Sequence, residues 1–418
     1  MLVDVFQQYE SEVRSYCRSF PTVFTKAKGS YIQSEDGRRY LDFFAGAGAL
    51  NFGHNPELVK QRLIEYLQDD GILHGLDMYT DAKGHFLLAL QEKILKPRSL
   101  DYRVQFCGPT GTNAVEAALK IARKVKGRRN IFAFQGGFHG MTLGALACTG
   151  NAYNRNGAST ALPDVTFMPY PFGAMKEIDT IAYIDAVLSD SSSGIDKPAA
   201  MLLETVQAEG GVVVAPDDWL KRLRSLCDKH DILMIVDDIQ VGCGRSGNFF
   251  SFERAGIVPD IVTLSKSISG CGLPLAVVLL KPELDVWQPG EHNGTFRGNQ
   301  LAFVSGTAGI ELFESLDIPG QVAEKSQILK SELSGIVERL GPEMELRGLG
   351  MIWGIDLSAL GNDRLIDQIT SQCFQDGLII ENAGRKGQVL KLLPPLTISN
   401  EELHAGLEIM EHAIKKAL

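Results

Sequence analysis

Short apolar runs alternate with amphipathic stretches from about residue 100 to residue 280. Between the runs, apolar side chains recur at helical spacing, as Leu220, Leu223 and Cys227 do. Near-continuous apolar strands that alternate with helices are typical of a mostly parallel sheet covered on both faces. We therefore predict an α/β fold, with strands at residues 104–107, 131–134, 199–203, 233–236 and 261–264.

The pattern changes after about residue 305. Two long helical patterns, at residues 321–340 and 401–418, flank short apolar runs at 350–357, 378–381 and 389–393. Ser399 precedes Glu402 by three residues, which is the spacing of a capping box at the start of the last helix. This part of the chain is predicted to form a smaller α+β domain.

Composition narrows the classes of protein that fit this pattern. Of the 418 residues, 44% are hydrophobic, so the chain can bury enough apolar surface to fold. Asp plus Glu outnumber Lys plus Arg by 51 to 41, and the net charge of −10 argues against a nucleic-acid-binding protein. No apolar run approaches the roughly 20 residues that cross a bilayer. We expect no membrane partner.

The cysteines and the first residues indicate the compartment. Seven cysteines are scattered without a CxxC pair, which is typical of reduced thiols and predicts neither a disulfide framework nor a metal site. The first twenty residues lack a basic start followed by an apolar block, so they do not resemble a secretion signal. We expect a cytoplasmic protein.

Unusual polar residues follow four of the predicted strands. Gly111 lies in a glycine-rich turn before a helix, which makes a cup for an anion. Asp237 and Lys266 each end an apolar run, and Glu204 and Glu209 follow another. Ligands of open α/β sheets bind at the carboxyl ends of the strands. An anion cup, a carboxylate and an amine at one edge suit pyridoxal phosphate, which binds a lysine and pairs its ring nitrogen with an aspartate.

Longer motifs extend this interpretation. The chain contains GPTGTNAVEAA, GGFHG, ETVQAEGG, IVDDIQVGCGRSG, TLSKSISG and GTFRGNQLA, and with them it resembles the class III (ω-amino) aminotransferases of fold type I over essentially its whole length. The resemblance implies pyridoxal 5′-phosphate as cofactor and a seven-stranded, mostly parallel sheet. It also implies a large cofactor-binding domain at residues 56–304, and a small α+β domain formed by residues 305–418 with a contribution from residues 1–55.

The resemblance assigns roles to individual residues. Lys266 would attach covalently to the cofactor, and Asp237 would bind its pyridine nitrogen; these two are the expected catalytic residues. Further cofactor contacts would come from a glycine, a threonine, an aromatic ring and an amide, namely Gly111, Thr112, Phe138 and Gln240. Thr295 would bind the cofactor phosphate of a neighbouring subunit, which implies a homodimer with shared active sites.

Substrate contacts depart from the usual family pattern. Met141 replaces the arginine that often follows GGxHG, and Lys391 replaces the arginine before the PPL segment. Lysine is a point charge rather than a bidentate fork. Glu209 matches the family's gate carboxylate, which can pair with the cation at 391 and withdraw when a dicarboxylate binds. Arg297 is a second candidate partner for a substrate carboxylate.

Segments of the N-terminal third narrow the expected substrates. ESEVRSYCRSFPTVFTKAKG, YLDFFAGAGALNFGHN and HGLDMYT resemble a group within the family, the diaminobutyrate–2-oxoglutarate transaminases of ectoine biosynthesis. That group transfers the amino group of glutamate to aspartate 4-semialdehyde by a ping-pong mechanism. The alternatives are an ornithine-type or 4-aminobutyrate-type aminotransferase, an aminomutase, and a catalytically silent protein that retains the fold.

Overall fold

A seven-stranded sheet forms the centre of the molecule. The computed structural model describes residues 2–418. In spatial order the central strands are β4 (Arg103–Phe106), β12 (Val277–Leu280), β11 (Ile261–Leu264), β10 (Leu233–Asp237), β7 (Ala200–Leu203), β5 (Ile131–Phe134) and β6 (Val165–Met168). Strand β12 pairs antiparallel with both of its neighbours, and the other pairings are parallel. The predicted mostly parallel α/β sheet is confirmed.

Helices connect several strands of this sheet and also lie before and after the sheet in the chain. They are α1 (Leu2–Tyr9), α2 (Tyr16–Ser19), α3 (Ala45–Gly48), α4 (Glu57–Gln68), α5 (Asp81–Ala89), α6 (Gly111–Lys126), α7 (Leu143–Ala147), α8 (Ala152–Asn156), α9 (Thr180–Ser189), α10 (Asp217–Lys229), α11 (Gln300–Ser315), α12 (Ile318–Leu340), α13 (Leu365–Gln375) and α14 (Asn400–Ala417). Within residues 2–418, no helix is long and apolar enough to cross a membrane.

The central strands are buried on both faces, which explains their unbroken apolar runs. Alternate residues of a strand point to opposite faces of the sheet. Ile235 therefore packs in the cluster that contains the apolar face of α6, while Met234 and Val236 pack in the cluster that contains Trp219 of α10. All five residues of β10 are buried. The strand therefore holds its carboxyl end, and the residue located there, in a fixed position.

Two four-stranded sheets involve the C-terminal part of the chain. One contains β13 (Glu345–Leu349), β14 (Ile352–Asp356), β17 (Val389–Leu392) and β16 (Glu381–Ala383), in that order. The other contains β1 (Phe24–Lys28), β2 (Tyr31–Ser34), β3 (Arg39–Asp42) and β15 (Leu378–Ile379), with β15 parallel to β3. The N-terminal strands thus pair with a C-terminal strand. A separate two-stranded ladder, β8 (Val206–Gln207) with β9 (Val213–Val214), follows β7 in the chain, and β9 contacts β13.

Several element boundaries differ from the sequence-based expectation. The run predicted as one strand at 378–381 is interrupted at Ile380, and its two parts belong to different sheets. The run at 350–357 is one arm of a hairpin whose partner, Glu345–Leu349, is too polar to give an apolar signal. Helix α12 begins at Ile318 because proline is accepted in the first turn of a helix and Asp317 accepts a hydrogen bond from Gly320 N.

A buried arginine connects three parts of the chain. Arg245 is fully buried, and its Nη2 donates to Asn51 Oδ1 at 2.7 Å. Its Nη1 donates to the backbone oxygens of Met351, at 3.0 Å, and Pro394. Burial lowers the pKa of Arg245 to about 9. The loop after β10 is therefore attached both to the N-terminal segment and to the C-terminal sheet.

The predicted capping box at the last helix is present. Ser399 Oγ accepts from Glu402 N at 3.1 Å, and Glu402 Oε2 accepts from Ser399 N at 3.2 Å. Ser399→Ala should lower the free energy of unfolding by about 1 kcal/mol, because an N-terminal amide of the helix loses its partner. Urea denaturation measures this change. Ser225→Ala, at an exposed position within α10, is the control; equal stability losses in both variants would contradict the capping role.

Candidate active site

Seven of the predicted residues line one cavity at the carboxyl ends of the central strands. The cavity has a volume of about 350 Å³, which suits a small ligand. The seven are two residues of the glycine-rich turn, one aromatic ring and four polar or charged side chains, namely Gly111, Thr112, Phe138, Glu209, Asp237, Gln240 and Lys266. The sheet brings these residues together from five separate segments of the chain.

Lys266 lies two residues after the end of β11 and is the amine of the cavity. Its Nζ donates to Ala47 O at 2.8 Å. Burial is the main cause that lowers the pKa of Lys266, so the neutral, nucleophilic amine is more accessible than in water. The backbone of Lys266 has a φ of 53°, in the left-handed region that residues other than glycine rarely adopt. Such strain is concentrated at functional sites.

Asp237 ends β10, and its two carboxylate oxygens are held by neighbours. Oδ2 lies 2.7 Å from His139 Nδ1, while Oδ1 accepts from Thr263 Oγ1 at 3.1 Å and from Ile239 N at 3.3 Å. Although burial opposes a charged imidazole, the hydrogen bond that His139 donates to Asp237 and the negative charge of Asp237 raise the pKa of His139. The pair thus fixes a carboxylate in the wall of the cavity.

His139 is a functional residue to which the sequence analysis gave no role. It lies within the GGFHG motif and is 3% exposed. The motif marked the position, but the partner, Asp237, is 98 residues further along the chain. Only the adjacency of β5, β7 and β10 in the sheet brings the two side chains together.

The anion cup is formed by the start of α6. The first amide groups of a helix have no partner within the helix, and the helix dipole is positive there. A Cβ atom added at Gly111 would lie 3.0 Å from Ile239 Cδ1, so a larger residue would require the side chain of Ile239 to shift. Helix α6 begins at Gly111, directly after Thr110, whose Oγ1 and N donate hydrogen bonds to Asn113 Oδ1.

The hydrogen bonds of Gln240 indicate whether the residues of the cavity fit pyridoxal phosphate. Its Nε2 donates to Ala47 O at 2.8 Å and to Glu209 Oε1 at 3.2 Å. Its Oε1 is buried and has no hydrogen-bond partner among residues 2–418. A hydroxyl group on a ligand would satisfy this acceptor. Each reactive group of the cofactor therefore has a matching partner in the cavity. Gln240 suits the hydroxyl group, and the amine of Lys266 suits the aldehyde. The carboxylate of Asp237 suits the ring nitrogen, and the start of α6 at Gly111 suits the phosphate.

Lys391 lies behind Glu209 and is fully buried. Its Nζ lies 2.6 Å from Glu209 Oε1 and 2.8 Å from Glu381 Oε1. The sequence suggested the contact with Glu209 but not the contact with Glu381. The charges of the two carboxylates raise the pKa of Lys391 despite its burial. Burial raises the pKa of Glu381 to about 7. Burial also acts to raise the pKa of Glu209, but the charges of Lys391 and Lys266 and the hydrogen bonds from Lys391 and Gln240 together lower it.

Two further residues that the sequence analysis assigned to the site, Thr295 and Arg297, do not line this cavity. Thr295 is exposed. Arg297 lines a different cavity, together with Trp287 and His292. Among residues 2–418, no group of three or more His, Cys, Asp or Glu side chains is arranged to hold a metal ion. The role of Thr295 toward a second subunit and that of Arg297 toward substrate stay predictions.

Glu204 gives the site a pH dependence. Burial raises its pKa to about 7, and its Oε2 accepts from Phe138 N at 2.9 Å. An unfolded glutamate titrates near about 4.3, so the folded protein holds a proton that the unfolded chain has released between these values. The contribution of Glu204 to the free energy of unfolding therefore falls as the pH rises from about 4.5 to 7.

Glu204→Gln removes that titration while keeping an acceptor for Phe138 N. We expect the unfolding free energy of the variant, relative to the unmodified protein, to increase between about pH 4.5 and pH 7. Thermal or urea denaturation of the protein without added ligand measures the difference. Glu338→Gln, at an exposed helical position, is the control and should show no trend. A pH-independent difference at Glu204 would contradict the assignment.

Comparison with known proteins shows the family to which the chain belongs. A family model described as aminotransferase class III matches residues 14–414. A diaminobutyrate–2-oxoglutarate transaminase of Vibrio parahaemolyticus is 54% identical over 416 residues, covering 99% of this chain and 97% of the relative. A protein of the same name from Streptomyces coelicolor is 51% identical over 417 residues, covering 99% and 98% of the two chains.

Solved structures share the architecture. An ornithine aminotransferase from Toxoplasma gondii superposes with a TM-score of 0.85 at 25% identity, covering 100% of this chain and 94% of its own. An S-selective transaminase from Bacillus megaterium shares the fold, with a TM-score of 0.89 at 22% identity and coverage of 99% and 97%. The chain belongs to the class III aminotransferase family and depends on that family's cofactor, pyridoxal 5′-phosphate.

Proposed function

We propose that this aminotransferase converts L-aspartate 4-semialdehyde and L-glutamate into L-2,4-diaminobutyrate and 2-oxoglutarate. The observation that carries the proposal is the single cavity in which Lys266 and Asp237 face Glu209, with Lys391 directly behind it. The names of relatives that are 54% and 51% identical support these substrates. We further propose that this reaction is the first committed step of ectoine biosynthesis, the pathway that the sequence resemblance implies.

The proton transfer is assigned to Lys266. Pyridoxal phosphate, when bound, supplies an electron sink that stabilises negative charge on the reacting carbon of the substrate. The ε-amine of Lys266, freed when the amine of glutamate takes its place, removes the proton from that carbon. Its lowered pKa keeps an unprotonated nitrogen available for this step. Lys266 Nζ would then hold this proton.

The carboxylate of Asp237 is assigned to the pyridine nitrogen, where it would hold a proton in place. His139 keeps that carboxylate oriented through its contact of 2.7 Å with Oδ2. A charged partner that is fixed in advance stabilises developing charge without reorganisation. Phe138, which lines the same cavity, would cover the ring face, and Gly111 and Thr112 would bind the phosphate with backbone N–H groups.

Glu209 and Lys391 allow one cavity to accept two kinds of substrate. The reacting carbon of glutamate carries a carboxylate beside the amine. The reacting carbon of diaminobutyrate is bonded to the amine, to hydrogen atoms and to a methylene carbon, and it has no carboxylate. In the structure Glu209 neutralises Lys391, which suits a substrate without that carboxylate. When glutamate or 2-oxoglutarate binds, its carboxylate takes the place of Glu209 on Lys391. The side chain of Glu209 is 32% exposed and lines the cavity, which leaves space for this movement.

Steady-state kinetics with a panel of amines tests the proposed substrates. The purified protein should prefer diaminobutyrate to ornithine, 4-aminobutyrate and lysine, with 2-oxoglutarate as acceptor. Double-reciprocal plots should be parallel, because glutamate leaves as 2-oxoglutarate before the aldehyde binds. Lys266→Ala should fold and lose turnover. Preference for another amine, or turnover of one substrate without 2-oxoglutarate, would contradict the proposal and indicate another class III aminotransferase or an aminomutase.

We also propose a homodimer in which Thr295 of one subunit binds the cofactor phosphate of the other. The exposure of Thr295, and its position outside the cavity of its own chain, support this proposal. Co-expression of Thr295→Ala subunits with Lys266→Ala subunits tests it. In a mixed dimer, one site has its own Lys266 and receives an intact Thr295 from the other subunit.

At low cofactor concentration, the mixture should therefore be more active than either variant alone. Random pairing makes half of the dimers mixed, with one intact site each, so about a quarter of the unmodified activity is expected. Separate affinity tags on the two variants allow the mixed dimer to be isolated and assayed. Activity equal to the average of the two parent variants would show that the sites are not shared.

A further inference from the structure

The strongest unused feature of the site is a buried lysine between two carboxylates. Lys391 is fully buried, and its Nζ lies 2.6 Å from Glu209 Oε1 on one side and 2.8 Å from Glu381 Oε1 on the other. When a substrate carboxylate replaces Glu209, only one anion at a time needs to contact Lys391. The second carboxylate, Glu381, has no role in the reaction described so far.

The backbone holds the two carboxylates in different ways. Glu381 in β16 lies directly opposite Lys391 in β17 in the antiparallel ladder, and it is 8% exposed. Residues opposite each other in such a ladder keep their Cβ atoms about 4.5–5.5 Å apart. Glu209 instead lies in the turn between β8 and β9 and lines the cavity. One carboxylate is therefore fixed by strand pairing, while the other can leave.

This difference matters because Lys391 is buried. A buried ammonium group without a counter-charge is strongly unfavourable. If Glu209 were the only partner, its departure would leave such a group until the substrate arrived. With Glu381 in place, Lys391 keeps a carboxylate partner throughout the exchange.

We propose that Glu381 is a positioning residue that keeps Lys391 charged and oriented while Glu209 is replaced by the carboxylate on the reacting carbon of the substrate. The inference rests on the proposed exchange at Lys391 and adds the residue that permits it. Glu381 therefore acts in the glutamate half of the reaction. It has no part in the diamine half, in which Glu209 remains on Lys391.

The charges around the cluster agree with this role. Burial and the negative charge of Glu209 raise the pKa of Glu381, while Lys391 and Lys266 act in the opposite direction. Tyr16 of α2 also interacts electrostatically with the cluster. When Glu209 moves away, its repulsion is removed and the ionised form of Glu381 becomes more favourable.

Single-turnover measurements on the Glu381→Gln holoenzyme test the proposal, because the two halves of the reaction are observed separately by cofactor absorbance. With glutamate, the second-order rate constant should fall by about tenfold or more, since the amide introduced by the substitution carries no charge to keep Lys391 paired. With diaminobutyrate, the rate constant should stay within about threefold of the unmodified enzyme. The loss is therefore specific to one substrate.

Two further variants serve as controls. Glu381→Asp keeps the charge on a shorter side chain and should restore part of the glutamate rate; it also carries the test if Glu381→Gln does not fold. Asp260→Asn removes another buried carboxylate, which pairs with Arg224 and Lys281 before β11 begins, at the opposite end of the strand from Lys266. It should change both half-reactions equally.

The outcomes separate this inference from the proposed function. If Glu381→Gln slows both half-reactions equally, or slows neither, the role of Glu381 is overturned while the unmodified enzyme still supports the proposed substrates. If the unmodified enzyme prefers another amine, the proposed function fails, and the same comparison is made with that amine. A selective loss with glutamate then supports the role of Glu381 under either substrate assignment.

Discussion

The shared direction of four neighbouring strands is the constraint on which the site depends. Strands β5, β7, β10 and β11 are parallel, so their carboxyl ends lie at one edge of the sheet. Phe138, Glu209, Asp237 and Lys266 follow those ends and reach one cavity, although they are far apart along the chain. The strands are buried on both faces, so the edge is rigid and holds the backbone of these residues in place.

Charge is placed in the site in pairs. Asp237 faces His139, and Lys391 faces Glu209 and Glu381. Burial makes an isolated charge unfavourable, so each of these groups depends on its partner as much as on the fold. Lys266 is different, because its Nζ donates a hydrogen bond to the carbonyl oxygen of Ala47. A neutral acceptor does not hold a proton on the amine, which agrees with a lysine that must react.

Much of this arrangement was predictable from sequence, and the exceptions have physical causes. Strand ends are visible as the point where an apolar run stops, so the positions of Asp237 and Lys266 follow directly from the pattern. The pairing of His139 with Asp237 depends on strand order, which periodicity does not report. Glu381 was hidden because residues 378–381 resemble one strand, and the interruption at Ile380 is invisible in an apolar run. Role assignments for the remaining residues came from family resemblance rather than from pattern.

Arg245 limits how the molecule can respond to substrates. Its guanidinium group joins the loop after β10 to Asn51 and to backbone oxygens at Met351 and Pro394. A rigid-body rotation of the C-terminal sheet against the central sheet would break contacts of a cation that has no access to water. Domain closure of large amplitude is therefore disfavoured. The site therefore adapts to successive substrates by rotamer changes of individual side chains, which are faster than domain motions.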